Sequence, residues 1–131
     1  EGPRPTVLIV DDNDVTRSLL RSIVRLEGYE VIGEARDGEQ GLEMALRLMP
    51  NAICLDVVMP KRNGLEVLGD IRAKLPNMPV VMITGSADRE TVQAAIKAGA
   101  NGFIVKPFNQ ARVHDALAAA LGDAAPAPQA S

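Results

Sequence analysis

Five polar positions in this chain stand where short apolar runs end. Val7-Leu8-Ile9-Val10 leads into Asp11-Asp12, and Ala52-Ile53-Cys54-Leu55 leads into Asp56. Val80-Val81-Met82-Ile83 stops at Thr84, and Phe103-Ile104-Val105 stops at Lys106-Pro107. Carboxylates brought together raise each other's pKa and destabilise a fold unless a cation intervenes. Hard oxygen donors suit Mg²⁺, and the chain has no His/Cys set for zinc. A carboxylate is also a nucleophile toward phosphorus, giving an acyl phosphate. Phosphoryl transfer needs charge neutralised on the equatorial oxygens. Mg²⁺ and the Lys106 ammonium can supply that charge, and the Thr84 hydroxyl can donate to a phosphoryl oxygen. The plainer alternatives are solvated loop acids and an ordinary surface lysine. Three acids at strand ends, with Lys106 directly before Pro107, weigh toward a site. The Lys106-Pro107 bond is a candidate for the cis isomer.

The alternation around these residues explains how they would meet. Apolar runs rich in β-branched residues, separated by longer amphipathic segments, read as buried parallel strands alternating with helices. In an open α/β sheet the functional crevice lies at the carboxyl ends of the strands. The count is five strands and five helices with no internal repeat. Right-handed crossovers place helices on both faces, giving a doubly wound five-stranded parallel sheet of the α/β class.

Each helix has an expected inward face. The first is Val15, Leu19, Ile23, Val24 and Leu26, stopping near Gly28. A second strand covers 29–35, and Asp37-Gly38 open a helix with Leu42, Ala45, Leu46 and Met49 inward, ended by Pro50. After the turn 60–64 comes a helix with Leu65, Leu68, Ile71 and Leu75 inward. Asp88 caps the next, with Val92, Ala95 and Ile96, which Gly99 closes. Asn109 or Gln110 starts the last, with Val113, Leu117, Ala120 and Leu121 inward.

Composition narrows the class. With 131 residues, 47% apolar and 24% charged, the chain suits one domain, and at 2% aromatic its core must be built from aliphatic side chains. A net charge of -3 gives no basic field for nucleic acid. No apolar stretch approaches the ~18 residues of a membrane span. Cys54 lies inside an apolar run and reads as a small buried residue in a reducing cytosol. The five methionines, Met44, Met49, Met59, Met78 and Met82, read as packing residues. Lys61 and Arg62 read as a solvated turn, and His114 as exposed without a catalytic partner. Residues 1–5 are expected to be a disordered lead-in, 6–122 the folded domain, and 123–131 a disordered tail or the start of a linker. The start at Glu1 rather than Met is compatible with a fragment.

The motifs Val7-Leu8-Ile9-Val10-Asp11-Asp12, Asp56-Val57-Val58-Met59-Pro60 with Asn63-Gly64, Thr84-Gly85-Ser86 and Lys106-Pro107-Phe108 carry a family likeness. Together they resemble the receiver domain of bacterial two-component response regulators, over about 6–121. The resemblance implies a flavodoxin-like (βα)5 fold with strand order 2-1-3-4-5, that of the family's chemotaxis member. It implies that Asp56 accepts a phosphoryl group from a sensor histidine kinase or phosphotransfer protein. Asp12, Asp56 and the Val58 backbone carbonyl would bind Mg²⁺, with Asp11 acting mainly through water. Thr84 and Lys106 would hold the phosphoryl oxygens, and Phe103 would be the aromatic switch that turns as Thr84 moves. A downstream output protein or domain would read the face at 88–121, and a homodimer is a further partner the resemblance allows. The implied setting is the bacterial cytoplasm, with no direct nucleic-acid or membrane contact by this chain. Val58 and Ser86, two residues after the acceptor and the Thr, would flank the approach of the hydrolytic water.

Two rivals come from other classes. Asp12-Asn13-Asp14-Val15-Thr16 fits the opening Asp-x-Asp-x-Thr of haloacid-dehalogenase-type phosphohydrolases, with Asp12 as nucleophile. Against it, no second acidic pair follows Lys106 at a strand end, and the chain has no room for a cap over the substrate. For the second, a flavodoxin-like flavin carrier, the chain lacks both a phosphate loop and stacking aromatics. The leading expectation is a phosphoacceptor switch that assists its own phosphorylation and dephosphorylation.

Overall fold

A computed structural model describes residues 4–85, 88–122 and 125–126. Five strands alternate with five helices: β1 (Thr6–Val10), α1 (Asp14–Leu26), β2 (Glu30–Ala35), α2 (Gly38–Leu48), β3 (Ala52–Asp56), α3 (Gly64–Lys74), β4 (Val80–Thr84), α4 (Arg89–Lys97), β5 (Gly102–Val105) and α5 (Gln110–Leu121). The strands form one parallel sheet in the order β2-β1-β3-β4-β5. The alternation of side chains along each strand divides the core in two. Leu8, Val10, Ile53, Leu55, Val80 and Met82 pack with α2, α3 and α4. Val7, Ile9, Cys54, Val81 and Ile83 pack with α1 and α5. Burying a side chain of this size is worth roughly 1.5–3 kcal/mol each. The large apolar side chains of the strands therefore hold the sheet between its two helical layers.

Every helix begins on an Asx cap. The side chains of Asn13, Asp37, Asn63, Asp88 and Asn109 each accept from the amide three residues on, satisfying an otherwise orphaned donor. At α3 the Glu66 carboxylate reaches back to the Asn63 amide, completing a capping box. Because the caps directly follow the site loops, they also fix where each loop ends.

The helix faces are partly rotated from the expected ones. On α1 the buried residues are Leu20, Ile23 and Val24, while Val15, Leu19 and Leu26 lie exposed. Two apolar stripes run side by side on this helix, and the anchoring of its first turn selects which one meets the sheet. On α2 the buried residues are Gly38, Gly41 and Ala45, and Leu46 and Met49 are exposed. Small residues let this helix approach closely, since a Cβ on Gly41 would lie 2.7 Å from Val10 Cγ1. Met49 takes the left-handed C-cap position at φ 48° rather than packing. On α4 only Ala95 is buried, with Ile96 exposed, and on α3 Val67 joins Leu68 and Ile71 while Leu65 and Leu75 are half-buried. On α5, Val113 and Leu117 are buried, and Ala120 and Leu121 are half-buried. Cys54 is buried as expected, and burial pushes its thiol up to about 12.

Among the described glycines, Gly64 makes the closest approach. A Cβ there would stand 2.1 Å from the Asp56 carbonyl oxygen, and its amide donates to the Val57 carbonyl at 2.7 Å. Gly69, in the interior of α3, has nothing within 4 Å of an added Cβ. Gly64→Ala should therefore cost about 1–3 kcal/mol through overpacking, whereas Gly69→Ala should add about 0.5–1 kcal/mol. Urea unfolding of the two variants reads this, and equal effects of the two changes would contradict it.

Candidate functional site

The carboxyl edge of the sheet gathers Asp11 after β1, Asp56 at the end of β3, Thr84 at the end of β4 and Lys106 after β5. Asp11, Asp56 and Thr84 are buried, with Asp11 at 0% exposure, while Asp12 beside it is exposed. Asp11, Asp12 and Asp56 each offer a carboxylate oxygen within 4.8 Å of the others. The Lys106 ammonium stands 3.2 Å from Asp11 Oδ2 and 3.4 Å from Asp56 Oδ2. One cation thus faces two buried acids, and the Lys106–Pro107 bond is cis. The Lys106 amide donates to the Thr84 carbonyl at 2.7 Å, tying the two site loops together.

Electrostatics follow from this crowding. Burial, then the Asp11 charge, raise the Asp56 carboxyl to about 6, and Lys106 and the Val58 backbone N–H act in the opposite direction. Asp11 Oδ1 accepts from the Asn13 amide at 2.9 Å. Asp11 Oδ2 is buried with no hydrogen-bond partner of good geometry, even beside the Lys106 charge. A buried carboxylate oxygen that accepts no well-formed hydrogen bond, in a set of three acids with hard donors, is a feature a divalent cation would complete. The residues present fit such an ion.

The other expected positions are spread around this cluster. The Val58 side chain, two residues after Asp56, is 74% exposed. Phe103 on β5, in register with Met82 of β4, is half-buried and packs against the core layer shared by α2, α3 and α4. It also lines a cavity of about 600 Å³ with Val105, Arg112 and Asp115. Ser86 lies outside the described residues, as do residues 1–3 and most of 123–131. His114 is paired, its Nδ1 lying 2.5 Å from Glu27 Oε1, so α5 is joined to the end of α1. Lys61, expected as plain solvated turn, has φ 69° and lies 3.7 Å from Asp37 and 3.9 Å from Glu39, and Arg62 pairs with Asp70. Arg17 was not among the expected site residues, yet its Nη1 donates to the Asp11 carbonyl at 2.8 Å.

A parallel sheet in this order, with acids, hydroxyl and amine at its carboxyl edge, places the chain in the doubly wound α/β class with its candidate site at that edge. Residues 7–118 match the response regulator receiver domain, and the chain belongs to that family, whose members serve two-component signal transduction. It is 40% identical over 111 residues to the chemotaxis protein CheY of Thermotoga maritima, covering 85% of this chain and 92% of that one. It is 39% identical over 103 residues to the transcriptional regulatory protein PdtaR of Mycobacterium tuberculosis, covering 79% of this chain and 50% of that one. Among solved structures it is similar to a chain of the CheX-CheY-BeF3-Mg+2 complex from Borrelia burgdorferi, with TM-score 0.87 and 33% identity over 89% of each chain. The haloacid-dehalogenase alternative finds no support in these relatives.

The raised Asp56 pKa has a signed consequence for stability. Between about pH 4 and pH 6 the folded chain holds more protons than the unfolded chain, so stability falls as pH rises through that window. Above it the full penalty remains. In EDTA at pH 7.5, Asp56→Asn should be more stable than the parent by about 1–3 kcal/mol, with the gap closing toward pH 4. Urea unfolding at the two pH values measures the gap. A parent as stable as the variant at both would contradict the electrostatic account.

Proposed function

We propose that this chain is a phosphoacceptor switch in which Asp56 takes a phosphoryl group from the phosphohistidine of a sensor histidine kinase or phosphotransfer protein. The observation that carries the reading is a buried nucleophilic carboxylate at the end of β3, within 3.4 Å of the Lys106 ammonium and beside two further acids. An Asp56 oxygen attacks phosphorus as the bond to the donor imidazole nitrogen breaks, and that nitrogen leaves with the electron pair. Lys106 and the Thr84 hydroxyl would then hold phosphoryl oxygens. Asp12, Asp56 and the Val58 backbone carbonyl would hold Mg²⁺, with Asp11 acting through water. When bound, the ion supplies positive charge against the carboxylates and the equatorial oxygens. The domain assists its own phosphorylation and dephosphorylation but turns over no external substrate as an enzyme does.

In this reading the folded receiver unit is 6–122, between a lead-in and a tail or linker. Its setting is the bacterial cytoplasm, and no helix among the described residues is long and apolar enough to cross a membrane. The output face is 88–121, read by a downstream protein, an attached domain or a second copy. Exposed Ile96 and Val105 on α4 and β5 give that face apolar contact surface, and Phe103 lines the cavity beside it. Phosphorylation would bias the Thr84–Phe103 element between two arrangements.

Incubation with acetyl phosphate and Mg²⁺ should add one phosphoryl group by intact mass, and none in Asp56→Asn. Full labelling of that variant would overturn the assignment, as would steady phosphomonoester turnover that depends on Asp12. Hydrogen exchange on the phosphorylated chain should change along α4, β5 and α5. Changes confined to the Asp56 loop would contradict the switch.

Lifetime follows from the approach of water. The Val58 side chain has no group to hold a water in line, and its branched bulk shields the phosphoryl group. Val58→Asn should therefore dephosphorylate faster, by roughly an order of magnitude. Equal rates, or a slower variant, at the same Mg²⁺ concentration would remove Val58 from that role.

A further inference from the structure

We propose that Arg17 is a positioning residue for the acid cluster, setting divalent-cation affinity by holding the main-chain carbonyl of Asp11. The inference rests on the reading of that cluster as the Mg²⁺ site. All three guanidinium nitrogens of Arg17 have their own acceptor. Nη1 donates to Asp11 O at 2.8 Å, Nε to Glu34 Oε1 at 3.3 Å, and Nη2 to Asp14 Oδ1 at 2.5 Å. Its side chain is only 13% exposed. Glu34 is held in turn by Arg21, whose Nη1 lies 2.8 Å from Oε2 and 3.1 Å from Oε1. The fork is thus braced between α1 and the carboxyl half of β2.

What the fork holds is the peptide unit joining two acids. The Asp11 amide donates to the Ala35 carbonyl on β2 at 3.1 Å, and the Asp11 carbonyl accepts from Arg17. Both ends of Asp11 are therefore pinned, and the peptide plane that leads into Asp12 is pinned with them. Rotation of that plane would swing the Asp12 carboxylate away from Asp11 and Asp56. Arg17 also brings positive charge to a crowded anionic site. Among the described residues, none of its contacts takes a carboxylate oxygen of Asp11, Asp12 or Asp56, whereas Lys106 sits directly against two of them. A lysine could not reproduce the arrangement, because a single ammonium on a flexible stem cannot bridge a carbonyl and two carboxylates in fixed directions.

Groups that orient ligands from behind typically alter metal affinity 10–100-fold when removed. The test is calorimetric titration of the whole chain with Mg²⁺ alone, for the parent, Arg17→Gln, Arg17→Lys and Glu34→Gln, with urea unfolding of each alongside. Arg17→Gln should raise the Mg²⁺ Kd roughly ten-fold, with Arg17→Lys in between and Glu34→Gln raising it about two- to three-fold. The Mg²⁺ concentration for half-maximal labelling by acetyl phosphate should move by the same factor, while the rate at saturating Mg²⁺ stays within about two-fold. A general loss of stability would not produce that split. Should Arg17→Gln fail to fold, Arg17→Lys and Glu34→Gln carry the comparison. Folded variants that bind Mg²⁺ as the parent does would overturn the role of Arg17 alone. A parent chain that binds no Mg²⁺ would overturn the cation-site reading and this inference together.

Discussion

The structure depends on two buried carboxylates held against each other with one ammonium between them. Asp11 and Asp56 have lost nearly all contact with water, and Lys106 lies 3.2 Å and 3.4 Å from their facing oxygens. Burying like charges in this way is unfavourable, which is why Asp56 is pushed up to about 6 and an oxygen of Asp11 is left without a hydrogen bond. In a fold that carries this cost, the protonation of the acid cluster is linked to stability. Protonation, or a cation at the cluster, would relieve that repulsion, whereas a phosphoryl group on Asp56 would add negative charge for Lys106 and a cation to offset.

The surrounding architecture makes that edge stiff. Aliphatic packing on both faces of the sheet fixes the strand ends, and backbone hydrogen bonds then join the loops. Val57 donates to the Ile83 carbonyl at 3.0 Å, Lys106 to Thr84 at 2.7 Å, and Asp11 to Ala35 at 3.1 Å. Gly64 lets the start of α3 fold back against the Asp56 carbonyl. Arg17, on α1, donates to the Asp11 main-chain carbonyl at 2.8 Å. Asp56 is thus held by elements from both core layers, while the Val58 side chain two residues on is exposed.

Much of this was legible in the sequence, for reasons that differ by element. The strands and the site acids were visible because buried parallel strands are near-continuous apolar runs and their carboxyl ends are marked by polar residues. The strand order came with the family likeness, since local pattern says nothing of which strands are neighbours. The helix faces of α1, α2 and α4 were only half legible. Val15, Leu19 and Leu26 form a stripe as regular as the one actually buried, and only the tertiary anchoring of α1 chooses between them. In α2 the buried face is made of Gly38, Gly41 and Ala45, which a search for large apolar residues passes over. Arg17 escaped notice because its partner at the site is a main-chain carbonyl. Its spacing from Asp11 could have raised the question, but nothing in residue type announces a backbone acceptor.

Proton release on cation binding tests the central constraint most directly. If Asp56 titrates near 6 because of burial and the Asp11 charge, Mg²⁺ must displace its proton in order to bind. Calorimetric titration with Mg²⁺ in buffers of different ionisation heat counts those protons. The account predicts release of about half a proton per ion at pH 6, falling to nearly none at pH 7.5, and loss of the pH 6 signal in Asp56→Asn. Mg²⁺ binding with no proton release at pH 6, or release unchanged in Asp56→Asn, would contradict it.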